Sequence, residues 1–187
     1  MADQVDEGLH KVFPNLHERH GISFMMAPIP MASPEKKPAP SRAAASKADW
    51  DTYFLDLARQ AATRSSCSQN CDGAVIVAGR HIRSTGYNGT PSGYANCQEG
   101  GCPRGKTGDP AEPCTGVHAE ANAILFSDPA NREGATLYVT SPPCFECAKL
   151  IANSGVTEVV APAAVSEGLD RVKKLLLDCK IRIRLLR

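Results

Sequence analysis

The sequence of this 187-residue chain predicts a layered α/β domain with a mixed, five-stranded β-sheet. From residue 49 onward, helical and strand patterns alternate in the order α-β-β-α-β-α-β-α-β. The first two strands are joined by a turn at Gly79-Arg80, which predicts an antiparallel hairpin. A helical pattern separates the last two strands, and a crossover of this kind makes them parallel. The sheet therefore contains both kinds of strand pairing.

The elements of the first half follow from apolar spacing and turn residues. A helix is predicted from Asp49 or Asp51 to about Arg64, with a carboxylate as its N-cap. The apolar residues expected on its buried face are Trp50, Phe54, Leu57, Ala58 and Ala61. The next two segments, 74–78 and 82–86, have the apolar and β-branched character of strands.

The second half begins with a mostly apolar segment, 116–127, which predicts a buried helix. Residues 135–140 are rich in β-branched and aromatic residues and predict a strand that Pro142 and Pro143 interrupt. The remaining elements are, in order, a helix over 144–153 with Gly155 as its C-cap, a strand over 158–161, an amphipathic helix over 167–178 and a half-buried edge strand over 181–185.

Two short motifs carry the chemistry: His118-Ala-Glu120 and Pro143-Cys-Phe-Glu-Cys147. One His and two Cys fill three corners of a tetrahedral zinc site, and the open fourth corner is typical of a catalytic centre. Such a zinc ion lowers the pKa of its bound water, and Glu120 can then shuttle protons. The alternative is a closed zinc knuckle with a fourth ligand from elsewhere and a solvated Glu120. Both motifs lie at predicted helix N-termini, where the helix dipole favours a thiolate.

The composition argues against a nucleic-acid-binding protein, a membrane-spanning protein and a secreted, disulfide-rich protein. The net charge is +1, with 21 basic and 20 acidic residues, which argues against a nucleic-acid-binding surface. No apolar stretch approaches the roughly 20 residues of a membrane span. The eight cysteines follow no recognisable signal peptide, so zinc-bound thiols in a reducing cytoplasm are expected instead of a secreted disulfide framework.

The first 48 residues differ from the rest of the chain. Residues 34–47 are rich in Pro, Ala, Lys and Ser, which predicts a flexible N-terminal extension over 1–48 and a folded domain that carries both zinc motifs over 49–187. His10, His17 and His20 fall in the extension and are interpreted as part of a polar tail instead of a metal site.

From Trp50 to Pro162 the chain resembles the cytidine deaminase-like superfamily and, within it, the deoxycytidylate (dCMP) deaminases. The H-x-E…P-C-x-x-C pattern is that of zinc deaminases, in which the Glu is an acid–base catalyst. The matching stretches are Arg64-Ser65, Gly73–Val77, Gly86-Tyr-Asn-Gly-Thr-Pro-Ser-Gly93, His118–Ile124, Leu137–Thr140, Pro143–Lys149 and Ile151–Gly155.

The resemblance implies a three-layer fold with helices on both faces of the sheet. It implies conversion of dCMP to dUMP, which supplies thymidylate synthesis, with zinc held by His118, Cys144 and Cys147. Glu120 would move the protons, the Ala119 N–H would meet the pyrimidine carbonyl, and Asn88 would meet the sugar hydroxyl. The resemblance also implies a homo-oligomer, such as a hexamer, because members of the family often assemble in this way and are often activated by dCTP and inhibited by dTTP.

The resemblance also implies a second, structural zinc. Cys67 and Cys97 fall where the family places two of its ligands, and Cys102 and Cys114 are our choice for the others. Cys71 competes for one position, whereas Cys179, on the last helix or just past it, is interpreted as a packing residue. The alternative is a set of free thiols.

Two departures from the family pattern concern phosphate recognition. Asp72 precedes Gly73 near the expected pocket, and residues 162–166 contain no aromatic or basic side chain. The candidate phosphate partners are Arg64, Arg80, Arg83 and Arg104. The alternatives to dCMP deamination are a deaminase of another cytosine compound or of a nucleic-acid base, and a non-catalytic, zinc-stabilised binding module.

Overall fold

A computed structural model describes residues 47–164 and 168–187 of the chain. The predicted N-terminal extension lies outside these ranges except for its last two residues, and so do His10, His17 and His20. Within the described ranges the chain forms six helices and five strands. In chain order they are α1 (Trp50–Ala62), β1 (Gly73–Ala78), β2 (His81–Tyr87), α2 (Pro103–Thr107), α3 (Ala119–Leu125), α4 (Pro129–Arg132), β3 (Thr136–Val139), α5 (Phe145–Ala152), β4 (Glu158–Pro162), α6 (Leu169–Asp178) and β5 (Arg182–Leu186).

The five strands form one mixed sheet in the order β2-β1-β3-β4-β5. Strand β1 pairs antiparallel with β2 and β3, whereas β4 pairs parallel with β3 and β5. The hairpin turn has φ of 58° at Gly79 and 65° at Arg80, a backbone that fits the right-handed twist of the two strands. The predicted mixed sheet, the hairpin and the edge position of β5 are therefore confirmed.

Helices cover both faces of the sheet, which confirms the three-layer fold. On one face, Phe54 and Ala58 of α1 pack on Val75 and Tyr138. On the other face, α3, α5 and α6 enclose the larger part of the core. Its members include Ala74, Ile76, Ala123, Leu137, Val139, Ile151, Val159, Val172 and Leu176. Alternate residues of β1 belong to the two clusters, as the period of two in a strand requires.

Helix α3 lies unusually close to β2 because the contact between them is made by backbone. A Cβ atom at Gly86 would lie 2.2 Å from the carbonyl oxygen of Ala119 and 2.4 Å from the nitrogen of Ala123. Next to it, the buried Ser84 hydroxyl donates a hydrogen bond of 2.7 Å to the Ala123 carbonyl. Strand β2 thus fixes the distance of α3 from the sheet and the orientation of α3 about its own axis.

A polar network joins α1 to the far edge of the sheet. The Arg184 guanidinium on β5 donates to both carboxylate oxygens of Asp51, at 2.6 and 2.9 Å, and to Glu158 at 2.9 Å. The Tyr138 hydroxyl donates to Asp51 at 3.0 Å. The hydrogen bond from Arg184 lowers the pKa of Asp51.

Several predicted boundaries were wrong. Helix α3 begins at Ala119, with His118 as its N-cap, so the predicted start near His118 is confirmed. Residues 116 and 117 of the predicted segment lie outside the helix because Val117 pairs with Gly89 in an isolated antiparallel bridge. Helix α1 ends at Ala62, and the C-cap of α5 is Asn153 instead of Gly155.

The predicted buried face of α1 also needs correction. Trp50 is 41% exposed because it stacks on the outer side of Phe54, with 5.6 Å between ring centroids, and Leu55 and Ala62 are buried instead.

Candidate active site

Two helix N-termini bring the predicted metal ligands together. His118 is the N-cap residue of α3, and its side chain makes no capping hydrogen bond, so the ring remains available. Cys144 is the N-cap residue of α5, and its sulfur accepts a 3.5 Å hydrogen bond from the Cys147 N–H one turn later. The spacing of both motifs is therefore explained by helix starts on one side of the sheet.

The three side chains have the separations of a zinc site. His118 Nδ1 lies 3.5 Å from Cys144 Sγ and 3.4 Å from Cys147 Sγ. The three possible ligand atoms all lie within 4.8 Å of one another. A tetrahedral ion with its usual bonds to nitrogen and sulfur would place these atoms about 3.6 Å apart. The residues present thus fit a zinc ion, with room for one further ligand.

The electrostatics of the site differ sharply between its two thiols. Hydrogen bonds with the Cys147 thiol and the His118 ring lower the pKa of Cys144 to about 3. The hydrogen bond to Cys144 raises the pKa of His118 to about 8. The hydrogen bond with Cys144 raises the pKa of the Cys147 thiol, and burial of that thiol raises its pKa further. A metal ion that binds here displaces the protons from His118 and Cys147.

Glu120 lies beside this group in the first turn of α3 and is 7% exposed. Burial raises the pKa of its carboxyl group, against the opposing effect of its own backbone N–H and of His118. A buried carboxyl group of raised pKa accepts and releases a proton closer to neutral pH, as a general acid–base catalyst must.

His118, Glu120 and Cys144 line a cavity of about 280 Å³. Its wall includes both predicted substrate contacts, Asn88 and Ala119. Asn88 Oδ1 accepts from the Asp72 N–H at 2.8 Å, and its Nδ2 donates to the Asn70 carbonyl at 2.7 Å. Since an amide side chain has two donor hydrogens and two acceptor lone pairs, Asn88 keeps one of each beyond these bonds.

The carboxylate of Asp72 lines the same cavity but is paired. Its Oδ1 accepts from the Ser141 hydroxyl at 2.6 Å and from the Thr140 hydroxyl at 3.1 Å. Sequence reasoning identified Asp72 as a possible source of repulsion and did not identify these two hydroxyl groups. The local pattern at residues 140–141 gives no sign of them, because the contact spans almost 70 residues of chain.

The family model described as the cytidine and deoxycytidylate deaminase zinc-binding region matches residues 48–163. The chain belongs to this family. The deoxycytidylate deaminase of Mycobacterium phage D29 is 48% identical over 126 residues, which cover 63% of this chain and 97% of the phage protein. The deoxycytidylate deaminase of Schizosaccharomyces pombe is 44% identical over 119 residues, which cover 59% of this chain and 36% of the yeast protein.

Solved structures of the family resemble this deaminase-family chain as well. The dCMP deaminase of cyanophage S-TIM5, in complex with dCMP and dUMP, has a TM-score of 0.58 and 25% identity. The match covers 76% of this chain and all of the cyanophage chain. The cytidine deaminase-like fold inferred from the sequence is therefore confirmed. Within the described ranges, no helix is long and apolar enough to cross a membrane.

The cysteines predicted to hold a second zinc line the cavity beside the first group. Cys67, Cys97, Cys102 and Cys114 all contribute to the wall. The sulfurs of Cys102 and Cys114 lie 4.0 Å apart. Among the described residues, however, no three of these four cysteines have all their sulfurs within 4.8 Å of one another, as the ligand atoms of the first group do. Backbone N–H groups of Thr115 and Gly105 lower the pKa of Cys102 to about 6, and burial raises the pKa of Cys97 to about 11.

Two other cysteines differ from this group. Cys71 is exposed, and its sulfur contacts the Cys67 carbonyl at 3.8 Å. Cys179, interpreted from the sequence as a packing residue, is the exposed C-cap of α6. That interpretation was wrong, because the apolar face of α6 ends one turn earlier at Leu176.

Proposed function

We propose that this chain catalyses the zinc-dependent hydrolytic deamination of dCMP to dUMP. The observation that carries the proposal is the convergence of His118, Cys144 and Cys147 around one point, with Glu120 buried in the wall of the same cavity. A closed structural zinc has no need of a buried carboxyl group beside it. Similarity to deoxycytidylate deaminases along nearly the whole phage relative supports the choice of substrate.

His118, Cys144 and Cys147 would hold the zinc ion, which when bound supplies a water of lowered pKa and polarises the reacting centre. Glu120 accepts the proton of the attacking water and delivers it to ring nitrogen N3. It then carries a second proton to the departing ammonia. One carboxyl group can make both transfers because both occur on the same face of the ring. Burial keeps bulk water away from this carboxyl group and so preserves the proton for transfer.

The pyrimidine is held by backbone and amide groups. The Ala119 N–H is one of the free N–H groups in the first turn of α3, and it would donate to the pyrimidine carbonyl. Asn88 is fixed by the 70–72 backbone and would use its remaining hydrogen and lone pair on the sugar hydroxyl. Rigid positioning of this kind holds the ring carbon in line for attack.

Deamination of dCMP, deoxycytidine and dCTP, followed by ultraviolet absorbance, tests the proposal, with the Glu120→Ala variant as the blank. We expect turnover of dCMP with a kcat/KM well above that of deoxycytidine. Turnover of another cytosine compound alone would keep the zinc chemistry and refute the substrate. A zinc-loaded protein that deaminates none of the three would favour a non-catalytic binding module.

We also propose a structural zinc held by Cys67, Cys97, Cys102 and Cys114. The shared cavity wall and the lowered pKa of the Cys102 thiol support it, because a thiolate is the form that binds zinc. Metal analysis should give two zinc ions per chain, and one in the Cys102→Ser variant. The Cys71→Ser variant is the matched control and should keep two. Loss of zinc from the control would make Cys71 a ligand instead.

We further propose that the protein forms a homo-oligomer in the cytoplasm and that dCTP and dTTP regulate its activity. Leu125 and Phe126 at the end of α3 are 71% and 78% exposed in the single chain, and an assembly would bury such side chains. Light scattering measures the mass, and saturation curves for dCMP with either triphosphate measure the regulation. A monomer without response to either nucleotide would refute both statements.

A further inference from the structure

Selection of a nucleotide over a nucleoside requires a group that recognises the phosphate. At neutral pH a phosphate monoester carries a charge between about −1.5 and −2. The cavity wall contains two carboxyl groups, Asp72 and Glu120, and neither attracts such an anion. If the proposed function is correct, a cation within reach of the cavity would offset this unfavourable charge.

Three of the four arginines considered from the sequence lie away from the cavity. Arg80 places its guanidinium over the exposed Trp50 ring, 5.1 Å from the centroid. Arg83 contacts the Ala78 carbonyl at 3.5 Å, at the hairpin end of β2. Arg64 is exposed at the end of α1 and does not line the cavity.

Arg104 is different from these three. Among the described residues that line the cavity, Arg104 is the one lysine or arginine. It lies on α2, between Cys102 and Gly105 of the same wall, and is half-buried. Burial of a guanidinium beside a cavity carries a desolvation cost that a bound anion offsets.

Two hydrogen bonds hold the guanidinium of Arg104 in place, and N–H groups remain on it that make neither of these bonds. Its Nε donates to the Glu112 carbonyl at 2.9 Å, and its Nη2 donates to the Pro110 carbonyl at 3.0 Å. A guanidinium has five N–H groups, so three remain beyond these two bonds. Planar N–H groups held in place by backbone carbonyls are well suited to paired hydrogen bonds with phosphate oxygens.

We propose that Arg104 is the residue that binds the 5′-phosphate of the nucleotide and so selects dCMP over deoxycytidine. The assignment rests on the proposed function. It deepens that function by naming the side chain that distinguishes the two substrates. It also gives the 102–114 loop a role in substrate recognition, because this loop supplies the two carbonyls that orient Arg104.

The test is the ratio of kcat/KM for dCMP to kcat/KM for deoxycytidine, measured in the zinc-loaded full chain and in Arg104→Ala, Arg104→Lys and Arg80→Ala. Loss of charge-assisted hydrogen bonds to phosphate should lower the ratio roughly 10- to 100-fold in Arg104→Ala. Arg104→Lys keeps the charge without the planar fork and should give an intermediate ratio. Arg80→Ala, at a surface arginine outside the cavity, should leave the ratio unchanged.

A purely structural role for Arg104 predicts a different result. Displacement of the loop would lower turnover of both substrates together and leave the ratio unchanged, which would overturn the assignment. Inhibition by dUMP relative to deoxyuridine gives a second readout in the same variants, and it should weaken only for dUMP. If the unaltered protein does not prefer dCMP, the proposed function and the assignment both fail. If it prefers dCMP and Arg104→Ala keeps that preference, only the assignment fails.

Discussion

Gly86→Ala should inactivate the protein although Gly86 is not among the residues that line the cavity. The added methyl carbon would lie 2.2 Å from the Ala119 carbonyl oxygen and 2.4 Å from the Ala123 nitrogen, both of them backbone atoms of α3. Ordinary contact begins at 3.4 Å, so α3 must move by about 1.2 Å. A misplacement of about 1 Å costs roughly 100-fold in catalysis, and overpacking costs about 1–3 kcal/mol of stability.

Gly89→Ala is the matched control for stability. Its methyl carbon would meet only the Ser66 hydroxyl oxygen, at 3.5 Å. Thermal unfolding of both variants should show a lower Tm for Gly86→Ala and little change for Gly89→Ala. The deamination assay on folded Gly86→Ala should show kcat reduced at least 100-fold, because His118 and Glu120 move with α3. Full activity and an unchanged Tm in Gly86→Ala would refute the claim that β2 sets the position of the catalytic helix.

The remaining predictions concern stability. Asp51→Asn should lower the free energy of unfolding by about 1–3 kcal/mol at pH 7. Because the folded pKa of Asp51 is lowered, its contribution is complete above the unfolded pKa of about 3.9 and is lost as the pH falls through the folded value. Urea unfolding should therefore show the gap between the two proteins closing below pH 4, and a constant gap would contradict this assignment. Ser84→Ala should cost about 1 kcal/mol by removing the donor to the Ala123 carbonyl, whereas its exposed neighbour Thr85→Ala should change stability by less than about 0.5 kcal/mol. Equal effects of the two would refute the role of the Ser84 hydroxyl.

The sheet could be predicted because its strands are buried and its connections are short. Strand β1 is a run of buried apolar residues, and the Gly79-Arg80 turn leaves no alternative to a hairpin. The parallel pairing of β4 and β5 follows from the intervening helix. The candidate metal ligands His118 and Cys144 could be predicted because each is the N-cap residue of a helix within a known motif, and Cys147 follows Cys144 by one helical turn.

What the sequence did not reveal depends on contacts distant along the chain. The bridge between Gly89 and Val117 shortens α3, and no local pattern in residues 116–118 indicates it. The short helix α2 lies in a polar segment without apolar period, so it was missed, and with it the placement of Arg104 in the cavity. The same absence of local pattern hides the hydroxyl partners of Asp72.

In the proposed reaction, Glu120 moves protons at a zinc site built by His118, Cys144 and Cys147. The most direct test is the zinc content and dCMP turnover of Glu120→Gln, measured on the same preparation. The variant keeps the shape of the side chain and removes its proton transfer. We expect zinc content equal to that of the unaltered protein and kcat lower by roughly 100- to 10,000-fold. Turnover that survives at the original rate with zinc bound would contradict the role of Glu120 as the proton-transfer group.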